Sequence, residues 1–319
     1  MSKKAKAALF AVGLVLVVGL AALYFSRHSL AVLAPKGVVA LKERNLIIGT
    51  SILSLAVVVP VFVLLFVIVW KYRVTNPKKS AYTPDWDHSR ILESIWWGLP
   101  CAIILVLAVV AWKSSYDLDP YKTLASSTRP LTIQVVALQW RWLFIYPEQN
   151  IATVNFFQFP QNTPLNFQIT ADAPMNSFWI PQLGGQIYAM AGMTTQLHLM
   201  ANQTGTFRGV SANISGAGFA GMHFTAKSSS AADFDAWVQS VKRAHHHLSA
   251  DEYRALARPN LDNRTIYYSS KDPGLYDTVE MKFMTPPPGL TSPSDIDTVP
   301  ADAHTMNMQG MDMGHGSTY

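Results

Sequence analysis

The chain has 319 residues, of which 50% are apolar and only 14% are charged, and its mean hydropathy is positive at +0.16. That balance excludes an ordinary solvated domain throughout and points to membrane segments. The formal net charge is +5, yet from Lys113 to Tyr319 there are 13 Lys plus Arg against 16 Asp plus Glu; the basic surplus flanks the apolar segments, and nucleic-acid binding has no basic patch to rest on.

Three uncharged runs come first: Ala7 to Ser26 (20 residues), Leu46 to Trp70 (25 residues) and Ser94 to Trp112 (19 residues). At about 1.5 Å of rise per residue, each reaches across a hydrocarbon core about 30 Å thick. The first run follows Lys3, Lys4 and Lys6, so residues 1–26 fit a cleaved signal peptide and a retained signal anchor equally. Ser26, Arg27 and His28 end it with no cysteine to take a lipid, which excludes a lipoprotein anchor. The other two runs, at 46–70 and 91–112, predict a two-helix transmembrane hairpin within residues 27–117, with Pro60 tolerated inside the first helix. Lys71, Arg73, Lys78, Lys79 and Arg90 lie between these helices, and Arg27, Lys36, Lys42 and Arg44 precede them. Together with the N-terminal lysines, if that segment is retained, the bias places the 71–90 loop in the cytoplasm and everything after Trp112 outside. The single cysteine, Cys101, sits inside the third run, so there is no disulfide framework.

Residues 118–228 predict an all-β domain. After a polar connector, Leu118 to Pro130, short runs such as Leu131–Ala137, Trp140–Tyr146, Thr153–Phe157, Leu165–Ile169, Thr195–Met200 and Met222–Ala226 combine β-branched and aromatic residues between Pro and Gly turns. This spacing suits an antiparallel sandwich or barrel. Residues 229–285 predict a helical extension. Phe234, Val238 and Val241 recur at helical spacing within Ala231 to His247, and Ser249 with Glu252 forms a capping box for a second short helix. Residues 286–319, rich in Pro, Gly, Ser and Met, predict a disordered tail.

Several segments carry a family resemblance: Ala34-Pro35-Lys36-Gly37, Trp70-Lys71-Tyr72-Arg73, Gln139-Trp140-Arg141-Trp142, Phe144 to Gln149, Met175 to Pro181 and Gln186 to Met193. Over residues 30–285 they resemble subunit II of the haem–copper terminal oxidases, and within it the quinol branch, the cytochrome bo-type ubiquinol oxidases. The resemblance implies a membrane-anchored, cupredoxin-like sandwich after the transmembrane helices. It implies a subunit of a complex that couples ubiquinol oxidation and reduction of O2 to water with proton translocation, in a bacterial inner membrane, with the large C-terminal domain in the periplasm. The expected partners are the haem–copper subunit I, smaller subunits III and IV, and the lipid bilayer. Haem and copper are expected in subunit I and none in this chain, ubiquinol is the substrate of the complex, and no cytochrome c partner is expected.

In the cytochrome c oxidase branch this domain holds a binuclear copper bound by two histidines, two cysteines, a glutamate carbonyl and a methionine. By the resemblance these positions fall on Asn176 and Phe219 for the histidines, Ser211 and Ser215 for the cysteines, Asn213 for the carbonyl and Met222 for the methionine. Only Met222 keeps a ligand side chain, and hydroxyls and an amide are poor partners for copper that needs thiolate and imidazole. Asn176, Ser211 and Ser215 also read as ordinary loop residues making turn hydrogen bonds. The expectation is a scaffold without metal, and no residue of this chain is assigned a catalytic role.

Glu93 opens the third apolar run. It reads as an acid stabilised by a helix N-terminus; through the pattern Glu93, Trp96, Pro100 it also resembles a carboxylate at a proton-channel entrance, a role suited to an ionisable group at a membrane boundary. Trp140, Trp142, Phe144 and Tyr146 alternate as on one strand face. A tryptophan of this motif receives electrons from cytochrome c in copper-bearing relatives, but core packing or subunit contact is the expectation here. His245, His246 and His247 read as solvated. His304, Met306, Met308, Met311, Met313 and His315 give the alternative reading, a membrane-anchored copper-binding or copper-delivery protein, because thioethers and imidazoles capture cuprous ions.

Overall fold

The computed structural model describes residues 30–73 and 88–284, together with Gly13, Leu16, Gly19, Leu20, Leu23 and Tyr24. Most of the predicted signal or anchor segment, the centre of the predicted cytoplasmic loop and the Met/His tail lie outside the described residues.

Two long helices lead into the β domain: α1 (Val38–Lys71) and α2 (Arg90–Asp117). Both are long and apolar enough to cross a membrane, and their apolar windows have no share buried within the chain. Each exceeds its apolar run because the flanking polar turns remain helical. Pro60 and Pro100 sit inside uninterrupted helical spans, as lipid-embedded helices tolerate. Thr50 and Ser94 return their hydroxyls to carbonyls one turn back, at 2.8 and 2.7 Å, so these polar groups are satisfied within their own helices.

Ten strands then build a two-layer sandwich: β1 (Leu131–Leu138), β2 (Arg141–Tyr146), β3 (Ile151–Val154), β4 (Phe156–Pro160), β5 (Leu165–Ala171), β6 (Asn176–Trp179), β7 (Gln186–Ala189), β8 (Thr195–Leu199), β9 (Gly205–Ser211) and β10 (His223–Ser229). The extension adds α3 (Ala231–Lys242), β11 (His247–Leu248), α4 (Ala250–Leu256), β12 (Ile266–Tyr268), β13 (Ser270–Lys271) and α5 (Leu275–Met281). One sheet runs β12-β3-β2-β1-β5-β8 and the facing sheet β4-β10-β9-β6-β7. Most pairings are antiparallel, but β1 with β5 and β4 with β10 are parallel, so the expectation of an antiparallel sandwich is corrected at these two pairs.

The predicted strand Thr153–Phe157 is two strands in different sheets. Asn155 turns the chain between them with φ 56°, a conformation that asparagine tolerates better than β-branched residues, and its Oδ1 accepts from the Trp142 amide at 2.8 Å. Trp140, the first residue of the predicted strand Trp140–Tyr146, lies instead in the β1–β2 turn, with φ 70°. Trp142, Phe144 and Tyr146 do share the inward face of β2.

Between the sheets, Trp142 meets Phe178 and Phe224 edge-on at 5.4 and 5.6 Å, and those two rings stack at 4.9 Å. The close fit leaves no room for a side chain at Gly209, where a Cβ would fall 2.0 Å from the Phe224 ring. The opposite face of the six-stranded sheet is covered too. Val136, Leu138, Leu143, Ile145 and Val154 pack under Leu248, Tyr253, Leu256, Tyr268, Tyr276 and Val279 of the extension. Burial on both faces explains why β2 reads as an unbroken buried run rather than as an alternation.

In the extension, α3 stops at Lys242, short of the predicted His247, and Ser230 caps its first turn through the Asp233 amide at 3.1 Å. Ser249 Oγ accepts from the Glu252 amide at 3.2 Å, half of the predicted capping box, while Glu252 Oε1 accepts from the Tyr268 hydroxyl at 3.4 Å.

Candidate functional site

Of the six positions matched to copper ligands, Asn176, Ser211, Asn213, Phe219 and Met222 are joined by hydrogen bonds, although they are spread over residues 176–222. Asn176 begins β6, Ser211 ends β9, and the β9–β10 loop carries Asn213, Ser215 and Phe219 before Met222. Ser211 Oγ donates to Asn176 Oδ1 at 2.9 Å and lies 3.3 Å from the Asn213 carbonyl. Asn176 Nδ2 donates to the Pro174 carbonyl and Asn213 Nδ2 to the Met175 carbonyl, both at 2.8 Å. The loop closes on itself through Ser211 N to Met222 O at 3.1 Å and Met222 N to Phe219 O at 3.0 Å.

This arrangement ties the two loops together with neutral hydrogen bonds. Asn176 and Ser211 are buried, and each has taken the other as partner. Met222 belongs to the sandwich core, with its side chain among the buried apolar residues. The donor chemistry does not fit a thiolate-bridged binuclear copper: the six positions supply one thioether, no thiol and no imidazole. Among the described residues there is also no group of three or more His, Cys, Asp and Glu side chains placed to hold a metal ion.

Trp140 covers this loop. Its Nε1 donates to the Ser215 carbonyl at 3.4 Å, and a Cβ on Gly218 would fall 2.2 Å from its ring. The ring therefore lies directly on the loop backbone. The motif Gln139-Trp140-Arg141-Trp142 divides its two tryptophans between a loop lid and the core.

Glu93 is in the first turn of α2, where its Oε1 accepts from the Ser89 amide at 3.3 Å. The structure thus realises the helix-terminus reading of this residue: a carboxylate satisfies one of the free N–H groups at a positive helix end. It lies at the opposite end of the hairpin from the β domain, far from the Asn176–Ser211 loops.

Sequence reasoning passed over two polar joints. At the first, the segment before α1 docks on the β domain: Gly37 bridges to Ala201, Lys36 N donates to Gln182 O at 2.7 Å, and Ala40 N donates to Leu183 O at 3.1 Å. Glu43 Oε1 accepts from the Gly185 amide at 2.9 Å. Gly184 has φ +84°, and a Cβ there would fall 2.6 Å from Ala40 N, which explains the glycine pair. At the second joint, the Asp172 carboxylate, almost fully buried, accepts from Tyr253 Oη at 2.9 Å and Lys282 Nζ at 2.7 Å. Burial, and then the Asp172 charge, hold the Tyr253 phenol well above its ordinary pKa, so it stays a donor at physiological pH. The side-chain hydrogen bonds of the two joints link residues 81 to 142 positions apart, a separation at which local patterns carry no signal.

A hairpin of two apolar helices joined to a two-layer β sandwich defines the class of membrane-anchored, cupredoxin-like oxidase subunits. Residues 149–229 match the family described as cytochrome c oxidase subunit II, periplasmic domain, and residues 242–287 match the COX aromatic rich motif. The chain is 50% identical over 283 residues to cytochrome bo(3) ubiquinol oxidase subunit 2 of Pseudomonas putida, covering 89% of this chain and 88% of that one. It is 45% identical over 264 residues to ubiquinol oxidase subunit 2 of Acetobacter aceti, covering 82% and 85%. A solved structure, the periplasmic domain of subunit II of cytochrome oxidase of Bradyrhizobium japonicum, matches 37% of this chain and 96% of its own at 22% identity and a TM-score of 0.35. The chain belongs to the ubiquinol oxidase subunit 2 family.

Proposed function

We propose that this chain is the non-catalytic second subunit of a proton-translocating ubiquinol oxidase, carrying neither haem nor copper. The single observation behind this reading is the donor set of the converged loops, Asn176, Ser211, Asn213, Ser215, Phe219 and Met222, in a chain at 50% identity to a cytochrome bo(3) ubiquinol oxidase subunit 2. With no thiolate or imidazole at these positions, electrons do not enter through this domain; they reach the haem and copper of subunit I from ubiquinol. The hairpin braces subunit I within the bacterial inner membrane, and the sandwich caps it on the periplasmic side. Subunits III and IV complete the assembly.

Within this reading the domains divide as 27–117 for the hairpin, 118–228 for the copper-free sandwich and 229–285 for the extension. Glu93, at the cytoplasmic end of α2, offers a carboxylate to a proton path.

The deciding experiment purifies the complex through this chain and measures oxygen uptake with ubiquinol and with reduced cytochrome c. Uptake with ubiquinol alone, with no near-infrared band of a binuclear copper, is the expected result. Uptake driven by cytochrome c, or copper bound to the chain in the absence of a haem partner, overturns it. The Glu93 role is separable: in Glu93→Ala, unchanged turnover and unchanged proton pumping would remove it.

A further inference from the structure

A cavity of about 210 Å³ opens where the hairpin meets the sandwich, lined by the first turns of α1, the last turn of α2, the connector after it and β8. Its charged lining is balanced: Lys42 and Lys122 against Asp117 and Asp119, with His198 beside them. Lys122 Nζ donates to Asp117 Oδ1 and to the Tyr116 carbonyl, both at 3.3 Å, and Asp119 Oδ1 accepts from the Tyr121 amide at 3.0 Å. His198 is held by Nδ1, 3.0 Å from the Pro120 carbonyl. A carbonyl only accepts, so Nδ1 carries the proton. Among the described residues Lys42 has no ion-pair partner.

The height of these groups over the membrane follows from helix geometry. Lys42 lies four residues before the apolar run that begins at Leu46, and Asp117 five residues after the run that ends at Trp112. At about 1.5 Å per residue both stand roughly 6–8 Å outside the hydrocarbon. The polar layer on each side of a bilayer is about 5–7.5 Å deep, so the cavity mouth opens at the level of lipid headgroups. Val39, Leu118 and Leu197 supply its apolar wall.

We infer that this cavity binds the headgroup of a zwitterionic phospholipid of the phosphatidylethanolamine type. The phosphate takes the ammonium groups of Lys42 and Lys122, and the headgroup ammonium takes Asp117 and Asp119. A purely basic pocket would select anionic lipids; equal numbers of both signs favour a ligand that carries both. The acyl chains then run down the exposed apolar flank of the hairpin, and the lipid stiffens the joint that Glu43 and Gly185 make.

The inference rests on the hairpin spanning the membrane, which recovery of the complex from washed membranes tests beforehand and separately. The complex is then labelled with a phosphatidylethanolamine carrying a photoreactive headgroup, and the labelled peptides are mapped. Label within residues 114–129 or at Lys42, competed by unlabelled phosphatidylethanolamine and not by inorganic phosphate, is expected. The Lys42→Glu, Lys122→Glu double variant should lose that label at least tenfold and release one phospholipid per complex on detergent washing. Label confined to the helix bodies, or competition by inorganic phosphate, overturns the proposal. Because the wild-type labelling needs no variant, a double variant that fails to assemble leaves the test intact.

Discussion

The hairpin and the sandwich solve the burial problem in opposite ways. In α1 and α2 nearly every large apolar side chain is exposed, Trp112 by 68% and Phe66 by 65%, whereas Trp142, Phe144 and Phe178 in the sandwich are fully buried. The sandwich removes its apolar surface from water by itself, at roughly 25 cal/mol per Å². The hairpin can do so only against lipid or another subunit. Sequence variation should therefore be read differently in the two regions: in the sandwich a side chain answers to its neighbours in this chain, and in the hairpin to groups outside it.

The sharpest way to break that comparison is to cut a hole in each region. Phe178→Ala removes a ring that touches Trp142, Phe144, Phe167 and Phe224, and should cost about 3–5 kcal/mol of domain stability. Limited proteolysis of the assembled complex should show the sandwich digested markedly faster. Phe62→Ala, on the exposed face of α1, should leave sandwich resistance unchanged; equal sensitivity of the two variants would refute the distinction.

The joint between the regions comes next. Gly184→Ala places a Cβ against the Ala40 backbone at a positive φ, with strain and overpacking each of about 1–3 kcal/mol. Hydrogen exchange at the Val38 and Ala40 amides, which donate to Met200 and Leu183, should accelerate while the β2 amides stay protected. Acceleration in β2 as well would mean that the joint and the sandwich are one cooperative unit.

Asp172→Asn weakens the clasp on the outer face of the sandwich. It removes the charge that receives Tyr253 and Lys282, at an expected cost of about 1–3 kcal/mol. Trypsin should then cleave after Lys282 faster than in the wild type, with the β1–β5 core untouched.

The smallest effect is in pH. Hydrogen bonds to the Asp272 carboxylate from the His247 ring, and then from the Ala250 amide, hold it below the ordinary carboxylate range. A depressed acid contributes stability that is fully present above its unfolded pKa and is lost as pH falls through the folded value. Protection of the Ala250 amide should thus be flat near neutrality and decline below about pH 4, the ordinary aspartate range. A decline beginning above pH 5 would assign the contact to another group.

Much of this architecture is legible in the chain itself. The two uncharged runs determine two long helices because only a helix satisfies its own backbone in lipid. The alternating aromatics of Trp142 to Tyr146 and the Ser249 cap announce a strand and a helix start through local periodicity and hydrogen bonding. The missing cysteines and histidines at positions 176, 211, 215 and 219 are likewise plain from residue identities once the resemblance aligns them. What tertiary structure alone decided is the pairing of distant segments. It splits 151–160 between two sheets at Asn155, turns Trp140 out of its strand onto Gly218, and doubles the burial of β2 beneath the extension. It also brings Glu43 to Gly185, and Asp172 to Tyr253 and Lys282. These contacts join residues up to 142 positions apart, and their stability comes from desolvated partners that meet only after the sheets have closed. Local propensity carries no record of such meetings.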